Sequence, residues 1–117
     1  MDVEYPGFGV IVIRGERFEH DVVVEAGQVR RRKKGPSKVH RDRFGHTPLS
    51  PDEEIPWSAP RLVVGTGADG RLPLMPEVWE EARARGVELI ALPTPEACPL
   101  LRSLTDDEVN AVLHVTC

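Results

Sequence analysis

Aromatic residues are scarce. Phe, Tyr and Trp make up 5% of the 117 residues, and only Phe44 lies near the most basic stretch. Single-stranded nucleic acids stack on interleaved aromatics across a broad basic face, so nucleic acid is not an expected partner. Cysteine is limited to Cys98 and Cys117, without C-x-x-C spacing, and the four histidines are scattered, which argues against a structural zinc site. No apolar run approaches the ~20 residues that cross a bilayer. The start, Met1-Asp2-Val3-Glu4, is acidic and lacks the basic and apolar regions of a signal peptide. A cytoplasmic protein with two free thiols and no membrane association is therefore expected. No Gly-x-Ser-x-Gly elbow announces a serine nucleophile.

What is present suits one α/β domain over residues 1–117, with 40% hydrophobic and 29% charged residues. The net charge of -4 conceals an asymmetry: residues 30–43 carry eight basic side chains and one acidic one, while both flanks are acidic.

Residues 8–34 read as a β-meander. Phe8 to Ile13, Glu16 to Phe18, His20 to Glu25 and the stretch from Val29 are separated by Arg14-Gly15 and Ala26-Gly27 turns. The run Arg30-Arg31-Arg32-Lys33-Lys34 reads as too charged to bury, and Ser37 to Leu49 as irregular. Within the basic loop and short-helix region, 35–60, Ser50-Pro51-Asp52-Glu53 has the form of a capping box, predicting about one helical turn before Pro56.

The organising stretch begins the βαβαβ part, 61–117. Leu62-Val63-Val64 predicts a buried strand, followed by a glycine-rich turn. A helix then runs from Pro76 to a Gly86 cap, with Met75, Val78, Trp79 and Ala82 facing the core. Val87 to Leu92 predicts a second strand, parallel to the first. Thr94 reads as the N-cap of a helix with Ala97, Leu100, Leu101 and Leu104 inward, and with a kink or late start at Pro99. Thr105-Asp106-Asp107-Glu108 is a capping-box pattern, yet Val109 to Cys117 is β-rich, so these residues leave helix and strand both open.

Arg32-Lys33-Lys34, Ser37-Lys38, Gly45-His46-Thr47 and Leu49-Ser50 resemble the middle of small adipogenesis-associated domain-containing proteins. Val63-Val64-Gly65-Thr66-Gly67, the Pro76 to Ala82 helix, Gly86-Val87-Glu88, Thr94-Pro95-Glu96-Ala97 and Leu113-His114-Val115-Thr116-Cys117 extend the resemblance. The same domain resembles an assembly factor of the respiratory NADH:ubiquinone oxidoreductase. The resemblance implies a three-layer β + α/β arrangement, in which an N-terminal β-meander packs with a mixed sheet and flanking helices. It makes the last segment an antiparallel strand. The family is largely of unknown function and transfers no catalytic set. This chain departs from it at Pro99, and at Arg102, where relatives often carry asparagine.

Gly65-Thr66-Gly67-Ala68-Asp69-Gly70 is a literal G-x-G-x-x-G, but the helix starts only at Pro76 and no acidic residue ends the next strand, so a dinucleotide fingerprint fails. Two readings remain: an anion-binding nest of backbone N–H groups, or a tight turn that needs positive φ. Ligand-binding candidates are Gly65, Thr66, Gly67, Gly70, Lys34 and Lys38. Lys33, Ser37 and His46 are the weak catalytic candidates, with no metal and no cofactor. His114 reads as a satisfied strand histidine. The leading functional expectation, from the resemblance, is a non-enzymatic adaptor or assembly-type protein that binds another protein. The alternative is an enzyme or small-anion binder whose pocket lies between the 65–70 turn and the basic segment 30–43. A homodimer through an exposed edge strand of the meander is a further expectation.

Overall fold

The computed structural model describes all residues from Met1 to Cys117. Eight strands form two sheets. The smaller is an antiparallel meander, β1 (Val3–Gly7), β2 (Val10–Ile13) and β3 (Glu16–Phe18), in the order β1-β2-β3. The larger contains β4 (Val22–Glu25), β5 (Gln28–Arg31), β6 (Arg61–Thr66), β7 (Glu88–Leu92) and β8 (Val109–His114), in the order β5-β4-β8-β6-β7. The N-terminal meander is thus present but starts at Val3 and ends at Phe18. The β4–β5 hairpin, expected to continue it, joins the other sheet instead.

β8 decides the sheet's character. It runs antiparallel to β4, with Val112 opposite Val23, and parallel to β6, with Val112 level with Val64. The expected antiparallel pairing holds on the β4 side alone. β6 and β7 are parallel, as a strand–helix–strand unit requires.

Alternation along these strands divides the core in two, because successive side chains point to opposite faces. Val22, Val24, Val63, Ala111 and Leu113 join the meander's Val3, Ile11 and Ile13, together with Ala97, Cys98 and Leu101 of helix α3 (Thr94–Arg102). Val23, Leu62, Val64 and Val112 face the other way, onto Leu49, Leu72, Met75 and Val78. The last of these belongs to helix α2 (Pro76–Arg85). The result is three layers: meander with α3, central mixed sheet, and α2 with the segments 41–60 and 67–75.

Several local expectations are corrected. Residues 37–49 are not irregular throughout: a 3-10 turn, Gly35–His40, leads into the short helix α1 (Arg41–Phe44). Ser50 to Glu53 forms a turn, not a helix: the Glu53 N–H donates to the Ser50 carbonyl at 3.3 Å, and the Glu53 carboxylate is claimed by Arg32. A bidentate pair with a cation outweighs the single bond to a backbone N–H that the capping box would give this carboxylate. Pro99 lies inside a continuous α3 on an exposed position, without ending it or delaying its start. Trp79 is 37% exposed at the margin of the α2 stripe, while Met75, Val78 and Ala82 are buried. Asn110 on β8 is buried and fully bonded, donating to Pro56 O and Ser58 Oγ and accepting the Ala26 N–H. It pins the 56–58 segment to the β4–β5 turn.

Candidate functional site

The glycine turn after β6 is closed by the chain's own last residues. The N–H groups of Ala68 and Arg71 donate to Thr116 O at 2.7 Å and Cys117 O at 3.0 Å, and the N–H of Gly70 donates to Gly67 O at 3.2 Å. The Gly67 N–H donates to Thr94 Oγ1 at 2.9 Å, and that hydroxyl donates in turn to His114 O at 2.6 Å. These four N–H groups are therefore occupied, which leaves no backbone nest at Gly67, Ala68, Gly70 and Arg71 for an anion. Thr94 is a clamp between two strand ends; its side chain caps no helix. Gly67 adopts φ +103°, and a Cβ there would stand 2.2 Å from the Cys117 carbonyl carbon, so glycine is required by conformation and by close approach.

Beyond β5, the basic run divides by side. Arg32, expected in solvent, is 5% exposed. Its guanidinium donates to both Glu53 carboxylate oxygens at 2.8 and 2.9 Å, to Asp21 Oδ2 at 2.9 Å and to Pro48 O at 3.3 Å. Burial disfavours its charge, but the Glu53 and Asp21 carboxylates outweigh that and raise its pKa above the ordinary value. The network continues through Ser37, whose hydroxyl donates to Glu53 at 2.5 Å and lies 2.6 Å from Ser50 Oγ.

On its other side, Asp21 meets His114. Asp21 Oδ2 is 2.8 Å from His114 Nδ1, and Oδ1 accepts the Val115 N–H at 2.9 Å. Burial would raise the Asp21 carboxyl; the bond and charge of His114, the Val115 N–H and Arg32 overcome this and hold it at about 2. An ionised carboxylate only accepts, so Nδ1 carries the hydrogen and Nε2 is directed at Thr116 Oγ1, 3.3 Å away.

Above this frame lies a cleft of about 260 Å³. Lys34 enters from the end of the basic run, Arg41 from α1, His46 and Thr47 from the loop after it, Arg71 from the glycine turn, and His114 and Thr116 from the last strand and its extension. No Asp or Glu side chain lines it. Lys34, Arg41 and Arg71 make no ion pair anywhere in the molecule. Arg14, Arg17, Arg30, Arg32, Arg61 and Arg85 are each matched to a carboxylate; the remaining unpaired cations, outside this cleft, are Arg31, Lys33, Lys38, Arg43, Arg83 and Arg102. Three unmatched cations around one cavity create a positive field that low-dielectric walls concentrate.

The chain from residue 3 to residue 114 matches the family model described as "Protein of unknown function (DUF498/DUF598)". The chain belongs to this family. Among solved structures it is similar to the conserved hypothetical protein PH1505 from Pyrococcus horikoshii OT3, with 32% identity over the whole of both chains and a TM-score of 0.81. It is also similar to a structure titled MT938, with 26% identity over 99% of this chain and 98% of that one, and a TM-score of 0.75. No curated protein matches.

In this DUF498/DUF598 member the singled-out residues separate. Lys34 and His46 reach the cleft, joined by Arg71, the residue immediately after the glycine turn. Lys33 and Lys38 are exposed and line neither the cleft nor each other's surroundings; Lys33 borders a small recess beside Arg30 and Glu54. Ser37 is wholly buried in the Arg32–Glu53 network and does not line the cleft. Thr66 is buried, and Gly65 is pressed against Thr94 and Leu113. Arg41, Arg71 and Asp21 are not among the sequence's candidates, and His114, read as a satisfied strand histidine, bonds Asp21 and also lines the cleft. Only Arg71 carried a local signal, as a cation directly following the glycine turn. Cys117 is a free, exposed thiol on the cleft rim, whereas Cys98 is buried, which pushes its thiol up to about 11.

Proposed function

We propose that this DUF498/DUF598 domain binds a small anionic ligand in the cleft between the glycine turn and the basic segment. The observation that supports this most is the convergence of unpaired Lys34, Arg41 and Arg71 on a cavity whose side-chain lining contains no carboxylate. Such cations repel one another when the site is empty, and an anion removes that repulsion while gaining charge-assisted bonds. Thr47 and Thr116 supply hydroxyls, and His114 supplies an imidazole oriented by Asp21. The glycine turn contributes by holding Arg71, with its backbone N–H groups committed elsewhere.

The second reading is the partner-binding adaptor that the resemblance to adipogenesis-associated domain-containing proteins and to an assembly factor implies. Large exposed apolar side chains, which such a surface would cluster, are Phe8, Val39 and Trp79, and these come from three separate elements. Dimerisation through the meander meets Pro6 on one edge strand and Glu16 and Arg17 on the other, both devices that discourage strand pairing. For nucleic acid the nearby aromatic, Phe44, is already covered by Arg43 at 5.2 Å.

The test is thermal unfolding against inorganic phosphate at fixed ionic strength. A ligand that binds only the folded state raises the melting temperature with concentration. The wild-type chain should show this rise, and an Arg41→Ala/Arg71→Ala double variant with an unchanged starting melting temperature should lose it. No rise in the wild type, or an equal rise in both, rejects the cleft as an anion site.

A further inference from the structure

A second cavity of about 220 Å³ adjoins the cleft, and Arg32, Lys34 and Thr116 form a wall common to both. The two lobes differ in character. The first is cationic. The second brings in Glu19, His20 and Asp21 beside Arg31, with Val115 as its apolar contribution. Neither lobe is lined by Phe, Tyr or Trp.

Resting on the anion-site reading above, we infer that the natural ligand is a phosphate monoester of a small hydroxylated compound, with the phosphate in the cationic lobe and the hydroxylated part in the second. Two formal negative charges suit the first lobe, where three unpaired cations and threonine hydroxyls converge. The other lobe is not a purely cationic phosphate site, because Glu19 and Asp21 stand there among Arg31, Arg32 and Lys34. Those carboxylates accept hydrogen bonds from hydroxyls. Asp21 Oδ1 receives one bond, from Val115, and keeps acceptor capacity; Glu19 is held only by a solvent-exposed pair with Arg17. The absence of an aromatic wall removes the stacking surface that a nucleobase uses, and the polar lining disfavours an acyl chain. The ligand class is therefore narrower than "anion": nucleotides and fatty-acyl phosphates fit the chemistry poorly, and a sugar phosphate fits it well.

Calorimetric titration with inorganic phosphate, glucose 6-phosphate and AMP separates the possibilities. The sugar phosphate should bind the wild type at least about tenfold more tightly than phosphate alone, a difference of about 1.4 kcal/mol, and more tightly than AMP. Glu19→Gln, at an exposed position, should shrink the gap between sugar phosphate and phosphate. Arg71→Ala should weaken both alike. If phosphate binds and the ester gains nothing over it, or AMP binds better than the sugar phosphate, this inference is overturned and the anion site stands. If none of the three binds, both fail together.

Discussion

The glycine turn and the basic run present opposite cases of the same question: whether a polar group is already bonded within the molecule. The turn has the composition of a ligand loop, yet its N–H groups at 67, 68, 70 and 71 are bonded to neighbouring backbone and Thr94. The basic run has the composition of a solvated segment, yet it divides into Arg32, buried between two carboxylates, and Lys34, free on the cleft wall. Composition indicates what a residue is able to bond. Only the surrounding structure says which bonds are already made.

Substitutions test that contrast in order of expected effect. Arg32→Ala should be the most damaging, at about 3–5 kcal/mol of stability, because it leaves Glu53 and Asp21 buried without their cation. Denaturant unfolding measures this, and a loss below about 1 kcal/mol would mean that the network relaxes around the gap. Gly67→Ala should cost about 3 kcal/mol, combining left-handed strain with displacement of the 116–117 backbone from Ala68 and Arg71. A folded, equally stable Gly67→Ala protein would restore the possibility of a loose, ligand-ready turn.

A smaller effect concerns acid stability. The Asp21 carboxyl falls from an ordinary value of 3.8 to about 2 on folding. A depressed folded pKa adds stability that is fully present above the unfolded value. That contribution is lost as pH falls from about 4 through about 2, and amounts to about 2 kcal/mol. The Asp21→Asn variant should be less stable at neutral pH and should show a flatter decline over that window; an unchanged acid limb would place the titration elsewhere. Smallest of all, replacing Arg41 and Arg71 should alter stability by no more than about 0.5 kcal/mol while removing the response to phosphate. That separation of stability from binding is what a preformed ligand site, unlike a structural ion pair, must display.

Much of the architecture was legible before folding. The β6–α2–β7 unit followed from a β-branched run, a helix-starting proline and a capping glycine, all short-range signals. The strand at 109–114 followed from the resemblance, since a local capping pattern competed with β propensity there. Less legible were the split of the expected meander between two sheets and the fate of the 50–53 turn. Both turned on distant partners: β4 pairs with β8 some ninety residues away, and Glu53 answers to Arg32 across 21 positions. Of the candidate site, Lys34 and His46 were found from charge and residue type. Arg41 was not, because nothing in its immediate neighbours distinguishes a cleft-lining cation from a solvated one, and His114 reads from its strand neighbours only as a satisfied sheet residue.

The sequence by itself determined the β6–α2–β7 unit and most of the other strands, where the charge accumulates and which dinucleotide reading fails, since these rest on periodicity, turn chemistry and spacing within a few residues. The tertiary structure alone decided that Arg32 is a core residue and that the glycine turn is sealed. It alone brought Lys34, Arg41 and Arg71 together from separate segments around one cavity. Burial and charge pairing depend on what the chain brings back from far along its length, and no local pattern encodes that.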